Sequence, residues 1–537
     1  MAEIDAGTLP PGTELQCDVC IVGSGAAGIT LAHRLKNTRK RIIVLESSLF
    51  NVRDPFAPQQ LEAVQRFQTT SGEDARIFLD RARAEAPPEL DVQAHNQDGH
   101  RYEDPATQPL YRGQLTAEMQ RIDPRFLLRS RIRVYGGTTN CWGGWTRTLS
   151  PIDFDRSDLD PAYAWPIGYR DLYEPYKAAL AYCSLRNIDP NDYDVPNAWV
   201  GKTQIPIAPI PPGPRLRTGV FSVMNGQGPH VDGALDFQHV WGPSLVSSEN
   251  VTLVRNANVR RLEAPATTID RAHAQNIDRT GGSPKPGNVV FSVRAKQYVL
   301  AMGGIETIRL LLLSKPGGLG NGSGTLGRYF MVHPLNQNAG YVDLTRTAPQ
   351  NVVNFYTGFP RLKDDPYPPN IFATFVPSDA TLRAERIGNF RSMVDFNSGS
   401  INLNWEQIPN PFSRIALAET RDMFGDREVL LDWKTLPIDA TTARKAIDLT
   451  VAEMVRLGYA RTGGGDPVIT APGDHHMGAT RMSREPRNGY VDANCRSHEI
   501  ANLYVASSSV FSTGGVSNPT LTIIALAVRL ADYLARF

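Results

Sequence analysis

The stretch CDVCIVGSGAAGITLAHRLKNTRKRIIVLES, residues 17–47, constrains the fold more than any other. Its apolar run Val19–Val22 predicts a buried strand, and Ile29, Leu31, Ala32 and Leu35 then recur at helical spacing. Between them stands Gly23-Ser24-Gly25-Ala26-Ala27-Gly28, and a second apolar run, Ile42–Leu45, ends on Glu46. A strand, a glycine turn, a helix and a second strand with a terminal acid form the cradle of a dinucleotide-binding unit. Gly23 permits the tight turn, Gly25 lets the backbone approach a pyrophosphate, and Gly28 lets helix and strand pack closely. Ala26 and Ala27 open the helix, whose N–H groups face the phosphates. Glu46, 18 positions after Gly28, is placed to accept hydrogen bonds from the ribose hydroxyls of an adenosine. The cradle alone leaves FAD and NAD both open.

Cys17 and Cys20 flank the same strand. At i and i+3 of a strand they point to opposite faces, so they are read as small core residues and not as a metal or disulfide pair. The five cysteines are few and odd in number, which argues against a disulfide framework.

A chain of 537 residues is expected to form two domains. Its 56 basic and 55 acidic residues leave a net charge of +1, which offers no electrostatic footprint for nucleic acid or an anionic membrane. The start, MAEIDAGTLPPGTELQ, has no basic and apolar leader pattern, so a cytoplasmic location is expected. Asn250-Val-Thr and Asn321-Gly-Ser match glycosylation sequons, which carry no weight without export.

Gly136-Gly137-Thr138-Thr139-Asn140-Cys141-Trp142-Gly143-Gly144 forms a second glycine loop, bracketed by Trp142 and Trp145. It reads either as a ligand-contacting loop, with threonine and Asn140 hydrogen bonds, or as a surface turn. Short strands around Val254 and Val259, and a strand pair leading to Ala301-Met302-Gly303-Gly304 and a helix, look like later strands of the nucleotide-binding sheet. From about Gly327 to Ile469 proline is frequent, and SGSINLNWEQIPNP alternates Ile401, Leu403 and Trp405 with Asn402, Asn404 and Glu406. That pattern predicts a half-buried strand of a mostly antiparallel sheet.

The chain ends on an amphipathic helix with Leu521, Ile524, Ala525, Val528, Ala531 and Leu534 on one stripe. Pro519 suits its first position, which would make Asn518 an ordinary N-cap. Upstream, GDHHMGATRMS sets His475 beside His476, and in an extended segment the two face opposite ways. A metal site would need a third ligand, and only Asp474 is adjacent, so none is expected.

Together GSGAAG with Glu46, GGTTNCW, HHMGATRM and LYVASSSVFSTGGVSNPTLTIIALAVRLADYL resemble the glucose-methanol-choline (GMC) family of FAD-dependent oxidoreductases. The SNPTLT ending is most similar to the pyranose-oxidase and bacterial sugar-oxidase branch. The resemblance implies an α/β chain in which a discontinuous Rossmann-like FAD-binding domain (1–60, 126–155, 236–330 and 470–537) carries a second, substrate-binding domain. That second domain, built on a mostly antiparallel sheet (α+β), would take 61–125, 156–235 and 331–469. It places a catalytic histidine on His475 and its partner on Asn518, with His476 at a variable position and Ala479 in place of the commoner threonine. Around FAD it sets the cradle residues, Gly136, Gly137, Thr139, Asn140, Cys141 and Trp142. Val259, Ala301, Ser507, Ser508, Pro519 and Thr520 complete that set.

In relatives of the pyranose-oxidase type a histidine attaches FAD covalently where Cys141 stands here, so dissociable FAD is expected. Asn402, Asn404, Glu406 and Gln407, with His476 in support and Trp405 for stacking, would suit a sugar or glycoside, although a solvated strand face explains the same residues. The implied reaction is alcohol oxidation with O2 or another acceptor. A non-redox lyase of the same fold, a non-sugar alcohol and an NAD-dependent dehydrogenase remain as alternatives.

Overall fold

The computed structural model describes residues 2–47, 91–94, 100–103, 112–140, 142–224, 237–278, 285–363 and 368–536. The expectations placed on Cys141 and on most of 61–111 lie outside the described residues.

The nucleotide-binding layer is an eight-stranded sheet among the described residues. Its order is Ala2–Asp5, Val251–Arg255, Ile42–Leu45, Glu14–Val22, Lys285–Leu300, Arg271–Asp278 and Asn258–Glu263, with Leu503–Val505 also paired to Lys285–Leu300. Pairing is parallel from Ala2–Asp5 through Lys285–Leu300 and to Leu503–Val505, and antiparallel in the last two steps. Parallel strands covered on both faces must be apolar throughout, and Val19–Val22 and Ile42–Leu45 are all buried.

The turn into the helix Ala26–Leu35 admits no side chain at two points. Gly23 has φ of +96°, and a Cβ there would lie 2.7 Å from the Ala301 carbonyl oxygen. A Cβ on Gly28 would lie 2.0 Å from the Gly23 carbonyl oxygen. At the helix's other end the Asn250 amide donates to the carbonyls of Leu35, Thr38 and Lys40, which gives the freed groups a partner. The final helix, Thr520–Leu534, packs against Ala26–Leu35 and against Tyr169–Tyr182. Its six stripe residues are at most 2 % exposed.

The second layer is an antiparallel sheet in the order Ala460–Gly464, Pro334–Leu344, Ser400–Trp405, Phe390–Val394, Asn370–Pro377, Leu216–Val223 and Trp145–Thr146, with Ala471–Pro472 paired to Pro334–Leu344. The helix Pro437–Arg456 covers one of its faces. Along Ser400–Trp405 burial alternates as the sequence pattern requires: Ile401, Leu403 and Trp405 are buried, and Ser400, Asn402 and Asn404 are half-buried. Trp145–Thr146 and Ala471–Pro472 pair in this sheet although their segments, 126–155 and 470–537, are expected from sequence in the FAD-binding domain.

Cys17 and Cys20 are both buried and unpaired by disulfide. Both lie on the strand Glu14–Val22 and pack in the core, and the neighbouring Cys17 thiol, then burial, holds the Cys20 thiol well above its ordinary range. Among the described residues no helix is long and apolar enough to cross a membrane.

Candidate active site

A cavity of about 1320 Å³ is walled by both sheets. That exceeds the roughly 300–1,000 Å³ of common small-ligand pockets and leaves room for a dinucleotide and a second molecule.

At the nucleotide end, Gly23, Gly25, Ala26, Ala27 and Glu46 line the wall, with Val259 and Ala301 beside them. The helix Ala26–Leu35 starts at Gly25 with no side-chain cap, and a Cβ on Gly25 would meet open space. Uncapped N–H groups beside an open approach are what a pyrophosphate requires. Glu46 is buried and accepts from the backbone N–H and hydroxyl of Ser24. A carboxylate fixed this way can turn its remaining acceptor capacity toward a ribose. Replacing Glu46 by Ala is therefore expected to weaken FAD retention, read as loss of flavin absorbance on gel filtration, while excess FAD restores turnover. A holoenzyme that keeps its flavin unchanged would contradict the ribose role.

The second glycine loop closes over this cradle. Gly136 N–H donates to the Ser24 carbonyl at 3.1 Å, and Gly137, Thr139 and Trp142 line the cavity. The Thr139 hydroxyl is committed within the loop, donating to Gly136 O at 2.6 Å. Gly28 and Gly136, expected at the cofactor, are not among the residues that line the cavity, and Asn140 ends the turn Gly137–Asn140. Ser507, Ser508, Pro519 and Thr520 line the wall near the final helix.

At the same cavity, residues from four distant segments converge. His475 Nε2 lies 3.3 Å from Asn518 Nδ2. His475 Nδ1 lies 2.7 Å from His333 Nδ1, the two rings meeting edge to face. His333 Nε2 is 2.8 Å from the Gly515 carbonyl oxygen. Arg391 Nη1 donates to Asn518 Oδ1 at 3.3 Å, and its guanidinium lies over the rings of Phe221 and Trp145 at 4.5 and 5.1 Å. His475, Asn518 and Arg391 all line the cavity. Burial, then the Arg391 charge, pulls the His333 imidazole down to about 4, against the raising effect of the Gly514 and Gly515 backbone. His333 is therefore neutral at pH 7.

Asn518 does not act as an N-cap. The helix is capped by Pro519 with no side-chain hydrogen bond, because the Asn518 amide is engaged by Arg391 on one side and His475 on the other. His476 faces other partners than His475. Its Nε2 lies 2.9 Å from Ser130 Oγ and its ring meets the Phe126 edge, although part of it reaches the same cavity.

Of the residues proposed for substrate, Asn402 and Asn404 line the cavity. Gln407 does not: it is 1 % exposed, its Oε1 accepts from Val332 N–H and Trp433 Nε1, and its Nε2 donates to Lys434 O. Trp405 is buried on the opposite strand face and is not available for stacking. Glu406 is fully buried and accepts the N–H groups of Gly514, Gly515 and Asn389, so it fixes the loop that leads to Asn518. The alternation that assigned Glu406 and Gln407 to the open face stops where the strand ends, at Trp405.

His333 and Arg391 were not singled out from sequence. The one cue for His333 is a histidine standing before Pro334 in an otherwise apolar run, and Arg391 carries none. Among the described residues no cluster of His, Cys, Asp or Glu is arranged to hold a metal ion.

Comparison with known proteins agrees with this architecture. Residues 409–527 match the family model for GMC oxidoreductase. The chain is 25% identical over 470 residues to 2-methyl-1,2-propanediol dehydrogenase of Mycolicibacterium austroafricanum, covering 75% of this chain and 80% of that protein. It is 25% identical over 571 residues to 6'''-hydroxyparomomycin C oxidase of Streptomyces lividus, covering 98% and 93%. In fold it is similar to the crystal structure of pyridoxine 4-oxidase from Mesorbium loti, with a TM-score of 0.50 at 16% identity over 96% of this chain and 99% of that one. With motifs at both ends of the chain, residues 409–527 are thus GMC oxidoreductase-like, and the chain is similar to a dehydrogenase and an oxidase along most of its length.

Proposed function

We propose that the protein oxidises a secondary hydroxyl of a sugar or glycoside, with His475 as the base and Asn518 holding the alcohol oxygen. The observation that carries this reading is the 3.3 Å approach of His475 Nε2 and Asn518 Nδ2 on the wall of a cavity that begins at the dinucleotide cradle. FAD, when bound, supplies the hydride acceptor. His475 takes the hydroxyl proton as the carbon gives up its hydride, a contribution of roughly 10²–10⁴-fold for a well-placed general base. The Asn518 amide donates to the alcohol oxygen and fixes the carbon, without adding a second base. Gly23, Gly25 and Gly28 with Glu46 hold the adenosine diphosphate part, and the glycine loop with Ser507, Ser508, Pro519 and Thr520 walls the remainder.

Support for a polyhydroxylated substrate comes from the amides of Asn402 and Asn404 on the cavity wall. The likeness to 6'''-hydroxyparomomycin C oxidase along nearly the whole chain supports the same reading. FAD is read as dissociable, and O2 or another acceptor returns the enzyme to its oxidised form. We also read the two sheets as the cores of the two domains set out from sequence, with Trp145–Thr146 and Ala471–Pro472 lent to the substrate side.

The test is an anaerobic screen of sugars, glycosides and simple alcohols against the yellow holoenzyme. Bleaching by a sugar or glycoside, and not by short diols, is the expected result. Bleaching by diols alone would move the substrate to a non-sugar alcohol, and turnover with unbleached flavin would favour a lyase.

A further inference from the structure

We propose that His333 is a positioning residue that sets the tautomer of His475, keeping its proton on Nδ1 and its lone pair on Nε2, toward Asn518. The inference rests on the reading of His475 as the base, and concerns which form of that base the protein prepares.

The groups form one chain: Gly515 carbonyl, His333, His475, Asn518, Arg391. Its two ends admit only one direction. A carbonyl oxygen can only accept, so His333 Nε2 must carry the hydrogen across the 2.8 Å contact. A buried, neutral imidazole has one ring proton, which leaves His333 Nδ1 bare. Across the 2.7 Å contact, His475 Nδ1 must then be the donor.

The far end gives the same answer independently. A guanidinium can only donate, so the Asn518 oxygen faces Arg391 and its NH2 faces His475. An NH2 donor needs an acceptor, so His475 Nε2 carries no proton. Either end alone requires Nδ1–H on His475, and the other tautomer would set two lone pairs face to face at His333 and two donors face to face at Asn518.

The arrangement also limits where a proton can go. Once His475 Nε2 has taken a proton, onward transfer through Nδ1 would make a buried imidazolium of His333 beside the Arg391 charge, and burial with that charge disfavours it. His333 accepts the hydrogen bond and passes nothing on. The proton leaves by the cavity.

The experiment uses FAD-loaded enzyme labelled with [15N]histidine, in which ring nitrogens with and without a proton have well-separated shifts. The His475 signals are assigned by their absence in the His475→Ala protein. Wild type at neutral pH is expected to show protonated Nδ1 and bare Nε2. His333→Leu is expected to lose that signature and to slow anaerobic flavin reduction at least about tenfold with its FAD content unchanged. His333→Asn, whose amide oxygen can accept from Nδ1–H, restores the signature and most of the rate.

A protonated Nε2 in wild type overturns the proposal, as does an unaltered signature in His333→Leu. Should the leucine variant fail to fold, the wild-type spectrum and the asparagine variant still decide. If instead the expected tautomer is found but His475→Ala reduces its flavin at the normal rate, the base assignment fails while the tautomer assignment stands.

Discussion

Replacing His475 by Ala is expected to slow anaerobic flavin reduction by at least about a hundredfold and to leave FAD bound. The loss follows from removing the acceptor at Nε2, since Asn518 offers only a neutral amide at the same place. Retention is expected because the groups assigned to the dinucleotide, Gly23–Gly28 and Glu46, come from a separate strand–helix–strand segment of the chain. His476→Ala is the control. Its side chain meets Ser130 and Phe126, so its removal should leave reduction within several-fold of normal. Stopped-flow absorbance of the two holoenzymes with the same substrate separates them, and a His476 variant slowed more than the His475 variant would reverse the assignment.

Gly28→Ala has the largest expected effect on the protein itself. The added methyl would sit 2.0 Å from the Gly23 carbonyl oxygen. Overpacking of flexible side chains costs about 1–3 kcal/mol, and a collision with backbone belongs at or above the upper end. Gly23 cannot retreat, because its own turn, at φ of +96°, lies against the Ala301 carbonyl. The strand and helix must part, so colourless, poorly folded protein and a collapsed thermal transition are expected. Gly25→Ala provides the contrast, since a Cβ there meets open space. That variant should fold with a normal melting transition and lose only FAD affinity, where the methyl meets the pyrophosphate. Differential scanning calorimetry with flavin content on both variants tells a folding glycine from a binding glycine.

These residues mark how far a one-dimensional reading reaches. The cradle is legible because its whole logic is local: a strand, a turn without side chains and a helix follow one another within Val19–Leu35. The final helix is legible for the same reason, its apolar stripe being set by the helical period. His475 and Asn518 could be paired only through resemblance, because no local pattern relates residues 43 positions apart. His333 and Arg391 escaped notice because their roles exist only after folding. Each stands alone in an apolar strand neighbourhood and acquires its partner across 142 and 127 positions of sequence respectively. Glu406 and Gln407 were misplaced for the converse reason. A two-residue period was carried past the last residue it governs, and the polar side chains beyond Trp405 turn inward to tie up backbone and indole donors.

The short strand Leu503–Val505 lies along Tyr298–Leu300, the same segment whose other side pairs with Cys20–Val22 just ahead of the cradle. It covers what would otherwise be a bare strand edge in the middle of the nucleotide layer, and such an edge can recruit another chain. A substitution that frees these three residues would therefore turn a loosened layer into a template for self-association.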